Sequence, residues 1–179
     1  MSDATSPSNP PRFGSGQAVR RLEDDALLRG QGRYTDDLGE PGDGRLVFVR
    51  SPYAHAAIKG VDAEAARAMP GVRAVITGAD LAAVPPLPTG AGFKRADGSD
   101  CASPVRRALA HEAVRYVGEA VVAVVADTLQ QAKDAADSVM IDYDELPAVP
   151  TLAAALAADA AVTEAAPDNI ACEARHGDA

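Results

Sequence analysis

No tryptophan occurs in the chain, and aromatic residues of any kind make up 4% of its 179 positions. The hydrophobic fraction of 47% is nearly half alanine, of which there are 39. Alanine buries little area, so the core has to rest on a few clusters of larger side chains. Those clusters are Leu46–Val49, Val72–Ile76, Val114–Val125 and Val139–Tyr143. They suffice for one compact core, not for two. Positive charge is also scarce, with 17 basic side chains against 26 acidic ones and a formal charge of −9. No basic stripe is present to follow a phosphate backbone, which argues against nucleic acid as a partner. Cysteine is limited to Cys101 and Cys172, with no CxxC and no Cys/His cluster. A zinc site or iron–sulfur cluster within the chain is therefore not expected, and a reduced, cytoplasmic setting is the simplest reading. No apolar run approaches the roughly 20 residues of a membrane span, so no membrane partner is expected. No apolar stretch follows a basic start, as a secretory signal requires. Arg20-Arg21 precedes Leu22-Glu23-Asp24-Asp25, too acidic a continuation for a twin-arginine signal, and reads as a surface pair.

Residues 1–17 read as a disordered tail, Ser-, Asn- and Pro-rich over the first eleven. Residues 12–44 carry many Gly and Asp and little periodicity, consistent with an irregular leading segment. Arg45–Ser51 reads as a strand, and its unbroken Leu46-Val47-Phe48-Val49 suggests burial on both faces. Ala54–Lys59 resumes as a strand after Pro52. Asp62 is placed to cap a short helix that Pro70-Gly71 stops. Val72–Thr77 is a further strand, and Asp80–Val84 a weak helical turn. Residues 85–106 hold four prolines and three glycines and form a long loop. Glu119–Ala126 reads as a central strand. Asp127 or Thr128 caps a helix to about Ser138, and Val139–Tyr143 alternates as another strand. These strand–helix–strand units define an α+β domain with a mixed sheet over residues 18–150. A helix over Leu152–Ala158 and a linker complete residues 151–179.

Motifs that carry chemistry are thin. Gly30-Gln31-Gly32 lacks a third glycine and a preceding strand, and no phosphate-binding G-x-x-x-x-G-K-[ST] occurs. Ser51 and His55 are a nucleophile–base pair on paper. On a strand, however, four residues span roughly 13 Å, too far for a hydrogen bond. His111 and His176 lack ligand spacing and are expected to face solvent. The acidic pairs Asp24-Asp25, Asp36-Asp37 and Asp144-Glu145 read as solvated surface. No catalytic, cofactor-binding or metal-ligating residue is expected.

Several blocks nevertheless resemble one family, in order. They are Arg21–Asp24, Leu28–Asp37 and Val49-Arg50-Ser51-Pro52-Tyr53-Ala54-His55-Ala56, the last being the most specific. Pro70-Gly71-Val72 follows, with Val75, Thr77, Asp80 and Leu81. Tyr116-Val117-Gly118-Glu119, the Val-rich strand and Ala132–Ala136 come next, then Val139–Leu146, Pro147 and Val149, and finally Asn169-Ile170. Over residues 18–179 the chain resembles the a/b hammerhead region of molybdenum hydroxylase large subunits, the xanthine dehydrogenase, aldehyde oxidase and carbon monoxide dehydrogenase family.

That resemblance implies an α+β hammerhead fold and a structural role. It implies a molybdopterin cofactor, in bacteria often the cytosine dinucleotide, held by other domains of the large subunit. It places 2Fe-2S and FAD groups in partner subunits or domains, so molybdopterin-binding domains and iron–sulfur and flavin subunits are the expected partners. The expected interface residues are Arg50, Ser51, Tyr53, His55, Gly118 and Glu119, with the loop Pro85–Arg106 as a further surface. Two alternatives stand beside this reading: a free-standing interaction module, and a small hydrolase using Ser51 and His55.

Overall fold

The computed structural model describes residues 21–88, 94–95, 97–157, 160–173 and 177. The expected tail at 1–17 lies outside them, as does His176. The chain divides into two units, residues 1–41 and 42–179. In the first, a short helix α1 (Asp24–Leu28) and a 3-10 turn at Thr35–Asp37 interrupt a segment expected to be irregular. Arg29 pairs with Asp25 one turn back at 2.9 Å.

The second unit runs β1 (Arg45–Arg50), β2 (Ala56–Asp62), α2 (Glu64–Arg67), β3 (Val72–Thr77), β4 (Ala113–Val114), β5 (Ala120–Ala126), α3 (Leu129–Asp137), β6 (Met140–Glu145) and α4 (Leu152–Ala157). Two three-stranded sheets result, ordered β1-β5-β3 and β4-β2-β6. Every pairing is antiparallel, which corrects the expected mixed sheet. The reason lies in the helices. In β5–α3–β6 the first strand belongs to one sheet and the second to the other, so α3 crosses between sheets rather than over one. In β2–α2–β3 the chain makes the reverse passage. A strand–helix–strand order therefore produces no parallel neighbours.

β5 is the central strand of its sheet, and Val121, Val122 and Val124 are fully buried. The core they build includes Ala56 and Val114 of the second sheet and Ala135 of α3, so both sheets share it. Helix α3 starts at a reciprocal cap: the Gln131 amide donates to Thr128 Oγ1 at 3.2 Å, and the Thr128 amide donates to Gln131 Oε1 at 3.1 Å. Ala132 and Ala135 are buried, letting the helix axis approach β1 and β5 closely. Asp62 Oδ1 accepts from the Glu64 amide at 3.1 Å, as its position before α2 suggested.

β1 departs from expectation. Leu46 and Phe48 are 50% and 38% exposed. As an edge strand covered by α3, β1 hides Val47 and Val49 better and leaves the alternate face open. Among the described residues no helix is long and apolar enough to cross a membrane.

Candidate interface around Arg50 and Gly118

Two of the sequence blocks meet at the end of β1. A register shift falls between Val49 and Arg50 opposite β5, and past it the chain pairs with the turn that precedes β5. The Ser51 amide donates to the Glu119 carbonyl at 2.9 Å, and the Gly118 amide donates to the Ser51 carbonyl at 2.8 Å. Arg50 Nη1 donates to the Gly118 carbonyl at 2.8 Å while its guanidinium lies 5.3 Å from the Phe48 ring centroid. Glu119 closes the turn: its Oε2 accepts from the Arg115 amide at 2.6 Å, and its own amide donates to the Tyr116 carbonyl at 3.2 Å. Gly118 sits at φ +89°, a conformation that side-chain-bearing residues avoid. Arg50, Ser51, Gly118 and Glu119 are thus one mutual clamp.

Tyr53 and His55 belong elsewhere. The Tyr53 ring packs on Tyr143 of β6, centroids 5.1 Å apart. His55 Nδ1 lies 2.8 Å from the Pro147 carbonyl; that oxygen only accepts, so Nδ1 carries the proton. Ser51 is 2% exposed, and its Oγ accepts from the Tyr53 amide at 3.0 Å and donates to the Tyr53 carbonyl at 3.1 Å. Neither Ser51 nor His55 bonds the other, so the nucleophile–base pair has no geometric support. The Tyr143 hydroxyl is closed to solvent without a hydrogen-bond partner among the described residues. Burial, foremost, pushes its pKa up, and the neighbouring Ser51 hydroxyl opposes that shift.

The clamp borders a cleft of about 440 Å³ running from Phe48 and Arg50 past Arg106 and Arg107 to Arg115 and Tyr116. A second cleft, about 290 Å³, shares Arg115, Tyr116 and Val162 with it and reaches His55 and Pro150. His111, expected to face solvent, is half-buried.

Val162, which lines both clefts, belongs to a C-terminal segment joined to loop 94–106 by a seam that local sequence signals do not show. Cys101 and Cys172 form a disulfide. This corrects the reading of both as reduced thiols: the turns bring together loop positions 71 residues apart, which spacing alone does not reveal. The Ala102 amide donates to the Ala171 carbonyl at 2.8 Å, and Arg95 Nη2 meets Asp168 Oδ2 at 2.6 Å. That guanidinium, with the Ile170 amide, holds the Asp168 carboxyl below the usual range. Asn169, at φ +58°, organises the same segment. Its Oδ1 accepts from the Val162 amide at 2.9 Å, and its Nδ2 donates to the Ala160 and Ala155 carbonyls at 2.8 and 3.1 Å. Asn in a left-handed turn position was the available signal.

Among the described residues no group of three or more His, Cys, Asp or Glu side chains is arranged to hold a metal ion. The Gly30-Gln31-Gly32 stretch follows a five-residue helix, not a strand, and an added Cβ at Gly30 meets nothing, so no cradle is packed there.

Comparison with known proteins agrees with the fold. The chain is 41% identical over 138 residues to the nicotine 6-hydroxylase large subunit of Paenarthrobacter nicotinovorans, covering 75% of this chain and 16% of that protein. It is 39% identical over 142 residues to the carbon monoxide dehydrogenase large chain of Hydrogenophaga pseudoflava, covering 78% of this chain and 16% of that one. The crystal structure of quinoline 2-oxidoreductase from Pseudomonas putida 86 superposes with a TM-score of 0.66 at 39% identity, covering 77% of this chain and 17% of that one. This sequence thus spans about a sixth of the length of the relatives it matches. Residues 29–147 match the aldehyde oxidase and xanthine dehydrogenase a/b hammerhead domain, and the chain belongs to that family.

Proposed function

We propose that this chain serves as the supporting, non-catalytic domain of the large subunit of a molybdenum-dependent hydroxylase or dehydrogenase. The observation that carries the reading is the fate of the family's most specific block. Arg50 and Ser51 are consumed in bonds to Gly118 and Glu119, Tyr53 in packing on Tyr143, and His55 in its bond to Pro147. Residues so engaged brace a fold; none is left poised over a reacting atom. Molybdopterin, in this reading as the cytosine dinucleotide, belongs to other domains of the large subunit, where it supplies the oxidative chemistry. The 2Fe-2S and FAD groups belong to partner subunits or domains. The loop from Pro85 to Arg106, with Leu87 and Val105 more than half exposed, is the surface presented to those partners.

The test is metal analysis. Co-expressed with the cofactor-binding polypeptide of such an enzyme, the chain is expected to co-purify in a complex containing molybdenum. Alone, it is expected to carry neither metal nor pterin. An isolated chain that retained a molybdenum–pterin centre and oxidised a substrate would overturn the reading. A stable monomer that never entered such a complex would favour the free-standing module.

A further inference from the structure

We propose that the cleft beside the Arg50–Gly118 clamp is a docking groove for an acidic polypeptide segment of a partner domain, in which carboxylates alternate with apolar side chains. That the partner is another domain of a large subunit rests on the function proposed above; the groove's chemistry does not.

The first observation is electrostatic. In a chain of formal charge −9, four guanidinium groups line one cleft: Arg50, Arg106, Arg107 and Arg115. Among the described residues that line this cleft the only carboxylate is Glu119, already bonded to the Arg115 amide; Glu112 lies in a small adjoining cavity beside Arg107 and Arg115. Ion pairs among the described residues engage Arg29, Lys59, Arg67, Arg73, Lys94 and Arg95; none engages the four groove arginines. Arg50 commits one donor to the Gly118 carbonyl, and Arg115 commits one to the Ala113 carbonyl at 3.4 Å. Their remaining donors, and the forks of Arg106 and Arg107, are available for paired hydrogen bonds to carboxylate. Concentrated positive charge in a cleft of a negative molecule selects an anionic partner.

The second observation is the walls. Phe48, Leu87, Val105 and Tyr116 are 38%, 55%, 57% and 57% exposed around the arginines. A small anion satisfies guanidinium groups and leaves these apolar surfaces wet; a segment that also carries apolar side chains covers them. The third is adjacency. A second cleft has Arg115, Tyr116 and Val162 in common with the first, so a segment seated in one lies beside the other.

The 179-residue chain is titrated with a fluorescently labelled peptide alternating glutamate and leucine, with its glutamine–leucine counterpart, and with inorganic phosphate as competitor. The glutamate peptide is expected to bind, more weakly as salt rises, and the glutamine peptide at least ~10-fold more weakly. The Arg106→Gln/Arg107→Gln double variant is expected to lose ~10-fold in affinity with an unchanged circular dichroism spectrum. Should that variant unfold, Val105→Asp, which places a carboxylate on an exposed loop, is expected to abolish binding instead. Equal affinity for both peptides reduces the groove to an apolar patch. Displacement by phosphate at the peptide's own concentration makes it a small-anion site. Unaltered binding in the folded variants moves the site elsewhere. Each of these three results overturns the proposal. No molybdenum enters the assay, so its failure leaves the proposed function standing, and a complex without molybdenum leaves the groove standing.

Discussion

Arg50 and Gly118 lie 68 positions apart in the chain, yet the Arg50 side chain caps the Gly118 carbonyl at 2.8 Å while Gly118 holds φ +89°. The bond needs the backbone turned that way, and the backbone can turn that way because position 118 carries no Cβ. An added Cβ there meets nothing within 4 Å, so the whole penalty of substitution is conformational. Gly118→Ala is expected to destabilise by about 1–2 kcal/mol in urea unfolding. Gly118→Asn is expected to cost less, because Asn enters the left-handed region more readily. Equal costs for the two variants would mean that an unseen clash, rather than backbone strain, sets the requirement.

The core makes a second prediction. Its largest fully buried side chains are valines, Val114, Val121, Val122 and Val124, with no leucine or aromatic among them. Val122 pairs with Val49 on one side and Thr77 on the other, so it is held from both edges of the sheet. Val122→Ala is expected to cost about 2–3 kcal/mol, two methyl groups at about 0.8 kcal/mol each plus the cavity. Alanine-rich surroundings offer few long side chains to collapse into the gap. A loss under about 1 kcal/mol in denaturant unfolding would show that the sheets close up around it.

How far the sequence showed this structure depended on whether the signal was local. Val72–Thr77 and a cap at Asp127 or Thr128 were legible because periodicity and capping are properties of neighbouring residues, and the structure selects Thr128. The α+β class followed from the same signals. Strand pairing did not: β5, α3 and β6 read identically whether the two strands share a sheet or belong to different ones. Leu46 and Phe48 looked like core residues because an unbroken apolar run does not show that its strand lies at a sheet edge with one face open. At the candidate interface, the identities of Arg50, Ser51, Gly118 and Glu119 were legible but their mutual bonding was not, since it joins segments far apart in the chain. Two-residue β4 and the Cys101–Cys172 pairing carry no periodic signal at all.

Acid sensitivity follows from Asp80. Its Oδ2 accepts from the Thr77 amide at 2.7 Å and from Thr77 Oγ1 at 2.8 Å. These bonds, the amide's foremost, hold the carboxyl below its ordinary value of 3.8. A carboxyl whose pKa is lower folded than unfolded stabilises the fold fully above the unfolded value, and that contribution is lost as pH falls through the folded value. Asp80→Asn is therefore expected to lower the thermal midpoint at pH 7 and to converge on the wild type at the acid end. The group is exposed, so the difference is small. A constant offset between the two proteins from pH 7 down to pH 2 would mean that Asp80 acts through packing rather than charge.

The Cys101–Cys172 bond closes a loop over β4, β5, α3, β6 and α4, with the two cysteines 71 positions apart. Chain entropy puts its stabilisation at roughly 4 kcal/mol as an upper figure. The local consequence is more specific. Without the bond, the Ala102–Ala171 backbone bond and the partly exposed Arg95–Asp168 pair are among the links, between described residues, that still join loop 94–106 to the C-terminal segment. A solvated pair of that kind contributes at most about 1 kcal/mol. The C-terminal segment has its own organiser in Asn169, which ties Ala155, Ala160 and Val162 together independently of the cysteines. Reduction, or the Cys101→Ser/Cys172→Ser double variant, should therefore release the loop rather than the segment. Limited proteolysis is expected to open new cleavage sites within 94–106 and few within 160–170. Asn169→Ala in the oxidised protein is expected to reverse that pattern, because the bond then holds one end of a segment whose internal turn is gone. Identical digestion of reduced and oxidised chains would leave the disulfide with no holding role, and cleavage confined to 160–170 on reduction would assign the organising role to the bond instead of to Asn169.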